Sequence, residues 1–338
     1  MIGSKHFSES ESFMRIGLAV YGTTFGMGID MASDRPTITP MQLLDKASDI
    51  GLGGAELPAS LMQGEDATSV AHYAQERGLF ITLETEGYDP NKLATAIDLS
   101  VRLSASTVRT MVGGAKLGGD RRAMAGRWQS FLHEILVGLR EATIIAEQAG
   151  VNLAVENHQD LASEELLWLC ESIGSPRLGI TLDTGNALAT AEEPVDFARR
   201  VAPYVKNVHL KDYQIYMCDE GYRLVRCPLG QGVVNFTTLF EILSETCPQV
   251  DMSIELGALE ARLVRVLADD YWPNYPTRSA AQFAHVLRFV LDNARPSGDW
   301  RTPFELKEPP EAIIAYEDQQ LDASVAYILP LFTQANEH

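Results

Sequence analysis

Four segments of this chain end in groups that bind cations or move protons. VNLAVENH runs from apolar residues into Glu156, Asn157 and His158. LDTGN carries Asp183 and Asn186, VHLKD carries His209, Lys211 and Asp212, and IEL carries Glu255. A carboxylate or imidazole closing an apolar run is costly unless it is paired or coordinated. Glu156, Asp183, His209 and Glu255 offer three carboxylates and one imidazole. That donor set suits one divalent ion, Mn2+ first, with Mg2+, Co2+ or Zn2+ as alternatives. Taken alone, each residue is ordinary, since an Asp after a strand usually caps a turn. Together, at matching positions after successive runs, they read as one site. A cation that chelates a carbonyl and its neighbouring hydroxyl acidifies the C–H between them. Glu156 and Glu255 then double as ligands and acid/base groups. His158, nearer neutral in its ordinary pKa, is a proton carrier, and Lys211 stabilises the developing oxyanion. Glu84 and Arg223 are further candidates to touch substrate.

These groups need rigid elements to hold them. Eight apolar runs of strand length fall at 15–20, 54–57, 80–84, 107–112, 152–157, 178–183, 205–211 and 252–256. Most are continuous rather than alternating, which suits parallel strands covered on both faces. Helical spacing appears between them at 40–50, 121–150, 163–173, 194–201 and 236–247, with an eighth helix at 279–293 capped by Ser279. Alternation of this kind predicts an α/β fold, a (β/α)8 TIM barrel, whose chemistry sits where the strands end. A doubly wound sheet would carry a GxGxxG turn after its first strand; YGTTFGMGID has the wrong spacing. The expected organisation is a disordered leader at 1–13, a barrel at 14–295, and a C-terminal helical extension at 296–338 with a helix near 319–332. That extension is expected to pack on the barrel or on a subunit partner. Tyr213, Tyr216, Tyr222, Arg223 and Arg226 read as part of a long loop that ends at LGQGVVNF and either covers the pocket or simply packs. DDYWPNYP (269–276) reads as a ring-stacking surface or a subunit contact.

The chain has 338 residues and a formal net charge of −19. A phosphate backbone would be repelled, which excludes nucleic acid as a partner. The cysteines Cys170, Cys218, Cys227 and Cys247 form no CxxC pair and read as reduced thiols of a cytoplasmic protein. No apolar stretch reaches the roughly 18 residues of a membrane span, and the first residues lack the apolar core of a signal peptide.

The segments VENH, LDTGN, VHLKD and IEL, in this order, resemble the xylose-isomerase-like barrels of the sugar phosphate isomerase/epimerase family. The resemblance spans roughly residues 14–256. It implies that Glu156, Asp183, His209 and Glu255 hold one divalent ion, and that the two glutamates move protons. Ketose epimerases of this family carry a His three residues after the Asp ligand, where this chain has Asn186, here assigned to substrate. The implied activity is a sugar isomerase or epimerase working through an enediolate. The alternative is a lyase on an oxo-sugar. It would be either a 3-oxo sugar acid decarboxylase or the barrel subunit of a C-glycoside deglycosidase, which pairs with a small β-type subunit. The implied partners are a small sugar and other subunits of an oligomer. DNA endonucleases share the barrel but are incompatible with the charge. A non-catalytic sugar module would not need Glu156 and Glu255.

Overall fold

The computed structural model describes residues 14–30, 32–257 and 259–336, so the leader expected at 1–13 lies outside the described residues. Its strands are β1 (Arg15–Ala19), β2 (Gly54–Pro58), β3 (Phe80–Glu86), β4 (Thr107–Met111), β5 (Asn152–Glu156), β6 (Leu178–Asp183), β7 (Val205–Leu210), β8 (Tyr213–Cys218), β9 (Gly221–Arg226), β10 (Asp251–Ile254) and β11 (Arg262–Val264). β1 to β7 and β10 pair in parallel and close into a barrel, with β10 between β7 and β1. Every residue of β2 and β6 is buried, as expected for strands covered on both faces. The helices outside are α1 (Pro40–Asp49), α2 (Ala67–Glu76), α3 (Pro90–Arg102), α4 (Trp128–Ala149), α5 (Ser163–Ile173), α6 (Pro194–Val201), α7 (Phe236–Thr246), α8 (Ala280–Asn293) and α9 (Pro310–Asn336). Their starts are fixed locally: Thr39 with Gln42 and Ser279 with Gln282 form reciprocal caps, and Asp66 and Asp89 accept from first-turn N–H groups.

Several elements differ from the sequence reading: α2, α3 and β11 are additional to it, and α9 starts at Pro310, earlier than the helix expected near 319–332. α4 starts at Trp128 rather than 121, because Gly126 turns left-handed (φ 72°) and Arg121 is drawn inward. The Arg121 guanidinium sits 3.8 Å from the ring centroids of both Trp128 and Tyr275, and bonds Glu165 and the Asp160 carbonyl. Within DDYWPNYP, Tyr271 is buried, while Asp269, Asp270 and Pro273 remain exposed. Tyr271 and Tyr275 stack at 4.6 Å, and each hydroxyl donates to a backbone carbonyl, of Ala189 and Gly119 respectively.

The 213–226 segment is a hairpin, not a loop. β8 and β9 pair antiparallel, and β11 adds to β9 as a third strand. The extension also folds back: α9 carries Leu321 and Ile328 into the barrel's apolar cluster. Arg226 locks it there. Its buried guanidinium donates to Gln320 Oε1 at 2.7 Å and to the Gly257 carbonyl at 2.7 Å, with Glu317 3.5 Å away.

Candidate active site

Strand register brings the acid cluster together. Asp183, last in β6, lies opposite His209 in β7, and His209 lies opposite Ser253 in β10, two residues before Glu255. Glu156 ends β5 beside them. Ligand atoms from Glu156, Asp183, His209 and Glu255 all lie within 4.8 Å of one another, and all four residues are buried. His209 Nδ1 is 3.0 Å from Glu255 Oε2 and 3.6 Å from Glu156 Oε1.

Several buried contacts hold this cluster. Glu56 sits under His209, its oxygens 2.9 and 3.0 Å from Nε2, and takes a further bond from Asn207. That arrangement turns Nδ1 toward the carboxylates, as a carboxylate does for a metal-bound imidazole. Asn157 ties β5 to β6 by bonding both the N–H and the carbonyl of Asp183. The N–H groups of Gly185 and Asn186 orient Asp183 Oδ1.

The donor set fits a divalent cation on two grounds. First, His209 Nδ1 and Glu156 Oε1 are buried 3.6 Å apart, and neither makes a hydrogen bond of good geometry. Second, the five buried carboxylates of Glu56, Glu84, Glu156, Asp183 and Glu255 outnumber the buried cations Arg109 and Lys211 even when a protonated His209 is added to them. The field shows in the pKa values. Burial would strip the proton from His209, yet Glu56 and its neighbours push its pKa well above the usual value. Burial pushes Asp183 up to about 7. A cluster this negative calls for positive charge where the four side chains meet.

Glu56→Gln should weaken divalent binding about 10–100-fold by freeing the His209 ring. Calorimetric titration with Mn2+ checks this, and an unchanged isotherm would remove Glu56 from the design.

A cavity of about 400 Å3 opens beside the cluster, lined by Tyr21, Glu84, Arg109, His158, Lys211 and Glu255 among others. A larger groove of about 1410 Å3 on the outside of α3 and α4 contains none of the acid cluster. Lys211 Nζ lies 2.6 Å from Asp183 Oδ2 and 2.9 Å from Glu255 Oε2. Gly257 leaves room for it: at φ 49°, a Cβ there would lie 2.9 Å from Glu255 Oε1.

The other sequence-predicted residues fall as follows. Glu84 faces the cavity, 3.3 Å from the Tyr21 hydroxyl, and burial pushes it up to about 7. His158 lines the cavity, its pKa lowered by burial. Asn186 is buried behind Asp183, bonded by Gln159 and Tyr213. Arg223 does not line the cavity; it is the one half-buried residue of β9 and lies 4.7 Å over the Trp300 ring.

The sequence reading missed Arg109, in the middle of β4. Its Nη2 is 2.7 Å from Glu156 Oε2 and its Nη1 is 3.1 Å from Glu84 Oε1. A lone arginine in a strand otherwise fit for burial was the available signal.

Comparison with known proteins agrees with this fold. A family model described as xylose isomerase-like TIM barrel matches residues 44–258. The protein YihM of Escherichia coli (strain K12) is 26% identical over 244 residues, 69% of this chain and 71% of that protein. A 3-oxo-isoapionate decarboxylase of Pectobacterium atrosepticum is 25% identical over 184 residues, 54% of this chain and 63% of the relative. Among solved structures, an L-ribulose 3-epimerase shares the fold with a TM-score of 0.62 at 16% identity, covering 96% of both chains. The IOLI protein, solved with a bound zinc atom, gives 0.54 at 13% identity, over 83% of this chain and 96% of that one. With the family model spanning more than half its length, and the barrel and rim cluster in place, the chain belongs to the xylose isomerase-like TIM-barrel family.

Proposed function

We propose that this chain is a divalent-metal-dependent lyase on an oxo-sugar, releasing carbon dioxide from a 3-oxo sugar acid. One observation carries the choice of lyase over epimerase. The two glutamates that an epimerase would use as bases are both tied to cations. Burial would raise each, but Arg109 holds Glu156 well below the usual carboxylate range, and Lys211 with His209 holds Glu255 down to about 2. Held so low, they are weak bases. Loss of carbon dioxide needs no base to begin. The electrons of the breaking C–C bond pass into the neighbouring carbonyl, and one proton is then added to the carbon left behind. The relative named a decarboxylase supports the same outcome.

Glu156, Asp183, His209 and Glu255 are the residues to hold the ion, which when bound supplies Lewis-acid polarisation of the substrate carbonyl. Lys211 and Arg109 add fixed positive charge where an oxygen gains electrons. Glu84, pushed up to about 7 by burial, keeps a share of acid form at neutral pH and donates its proton to the carbon that lost carbon dioxide. His158, held neutral by burial, orients a substrate hydroxyl. A second reading, the sugar isomerase or epimerase, keeps Glu156 as the proton-moving group. It draws support from Glu156 Oε1, which has no hydrogen-bond donor.

The test is incubation of the Mn2+-loaded protein with 3-oxo sugar acids and with ketoses in D2O, followed by NMR. Carbon dioxide release, with one deuterium at the carbon that lost it, supports the lyase. Deuterium exchange with the skeleton intact supports the epimerase. No change in any oxo-sugar rejects both.

A further inference from the structure

We propose that Arg262 is the specificity residue of this site, gripping an oxyanion of the substrate, carboxylate or phosphate, with its guanidinium fork. The inference rests on the oxo-sugar reading above and narrows its substrate class to anionic sugars.

The other two cations lining the cavity are committed to carboxylates, while Asp30 and Glu260 also line it. Arg109 is paired with Glu84 and Glu156, and Lys211 with Asp183 and Glu255. Arg262 lines the same cavity as Asp30 and Glu260, yet among the described residues it forms no ion pair within 4.0 Å. Its Nε is buried and has no acceptor. A buried donor left unmade costs about 1–3 kcal/mol. In a chain of net charge −19, the missing partner is not explained by a shortage of acids. A ligand that brings two oxygens in one plane satisfies a guanidinium best.

The arginine is also held in place before any ligand arrives. Arg262 pairs with Leu224 across β9 and β11. The N–H of Ala261 donates to Glu305 Oε1 at 3.1 Å, tying the strand to the C-terminal extension. From the other side, Gly118 presses on the Leu263 carbonyl so closely that any Cβ would collide with it. Three separate parts of the chain thus fix the backbone on either side of one uncommitted charge. That is how a recognition residue is preorganised.

The position also explains how such a group escaped the sequence reading. It lies beyond the last barrel strand, in a three-residue strand of the side sheet, outside the segments that resemble the family.

The experiment is calorimetric binding to the Mn2+-loaded protein of gluconate, glucose 6-phosphate and neutral sorbitol. The wild type is expected to bind an anionic probe at least tenfold more tightly than sorbitol. Preference for gluconate names a carboxylate, and preference for glucose 6-phosphate names a phosphate. Arg262→Met should erase the preference while leaving the sorbitol and Mn2+ affinities in place. Arg262→Lys, which keeps the charge but not the fork, should recover part of it. A wild type that binds sorbitol as well as the anions, or an Arg262→Met protein that still prefers them, overturns the proposal. The readout is binding, so the anchor is tested even if the lyase reaction fails. Carbon dioxide release from 3-oxo sugar acids by the Arg262→Met protein at the wild-type kcat/KM would sink the anchor and leave the lyase standing.

Discussion

Asp183→Asn should abolish the response of this protein to divalent ions. In the wild type, Mn2+ at 100 times its dissociation constant should stabilise the fold by about 2.7 kcal/mol, since it binds only the folded site. For a chain of this size that is a melting shift of several degrees. The substitution keeps the shape of the side chain, and its oxygen can still accept the N–H groups of Gly185 and Asn186. What it removes is the charge at the point where Glu156, His209 and Glu255 converge. The melting temperature of the variant should therefore be flat across a Mn2+ titration, and turnover of any oxo-sugar should fall about a thousandfold or more. A variant that still gains several degrees from Mn2+ would show that the ion binds elsewhere.

The barrel and its rim were legible because they depend on local patterns. The run Leu178–Asp183 is apolar until its last residue, and the structure places that residue at the strand's end. Ser163–Ile173 was bounded by its own acidic first turn and Gly174, and forms a helix over the same residues. The hairpin of β8 and β9 was readable in principle. Tyr213 and Ile215 alternate with outward residues, as do Tyr222 and Leu224 around Arg223, and Gly221 closes the turn. The clustering of aromatic and basic residues drew attention away from that period of two.

Other features depend on contacts distant in sequence, and no window of residues reveals them. Arg121 breaks what looks like a longer α4 because Glu165 and Tyr275 wait for it, 44 and 154 positions on. Glu56 supports His209 from across the barrel, 153 residues away. Arg109 is visible as a charge in a strand, but its partners Glu84 and Glu156 are set by the closing of the barrel. The sequence names which groups could do chemistry more readily than it names the groups that restrain them.

The second large effect concerns one such restraint. Lys211→Met should damage the metal-free protein and the reaction by separable amounts. The ammonium touches Asp183 and Glu255, all three groups being buried. Taking one partner from a buried ion pair typically costs about 3–5 kcal/mol, because the remaining charge is left without compensation. Asp183 is already pushed up to about 7 by burial. Without Lys211 it should hold its proton more firmly still. The metal-free variant is then least impaired at low pH, where that carboxyl is neutral, and its deficit against the wild type should widen as pH rises from 6 to 8. Saturating Mn2+ supplies the missing positive charge and should restore most of the melting temperature. It should not restore kcat, which is expected to stay down about 100- to 1000-fold, the usual loss when one stabiliser of a developing oxyanion is removed. If Mn2+ recovers kcat together with the melting temperature, then Lys211 acts only by holding Asp183 and Glu255. The oxyanion role would pass to Arg109, the other buried cation lining the cavity.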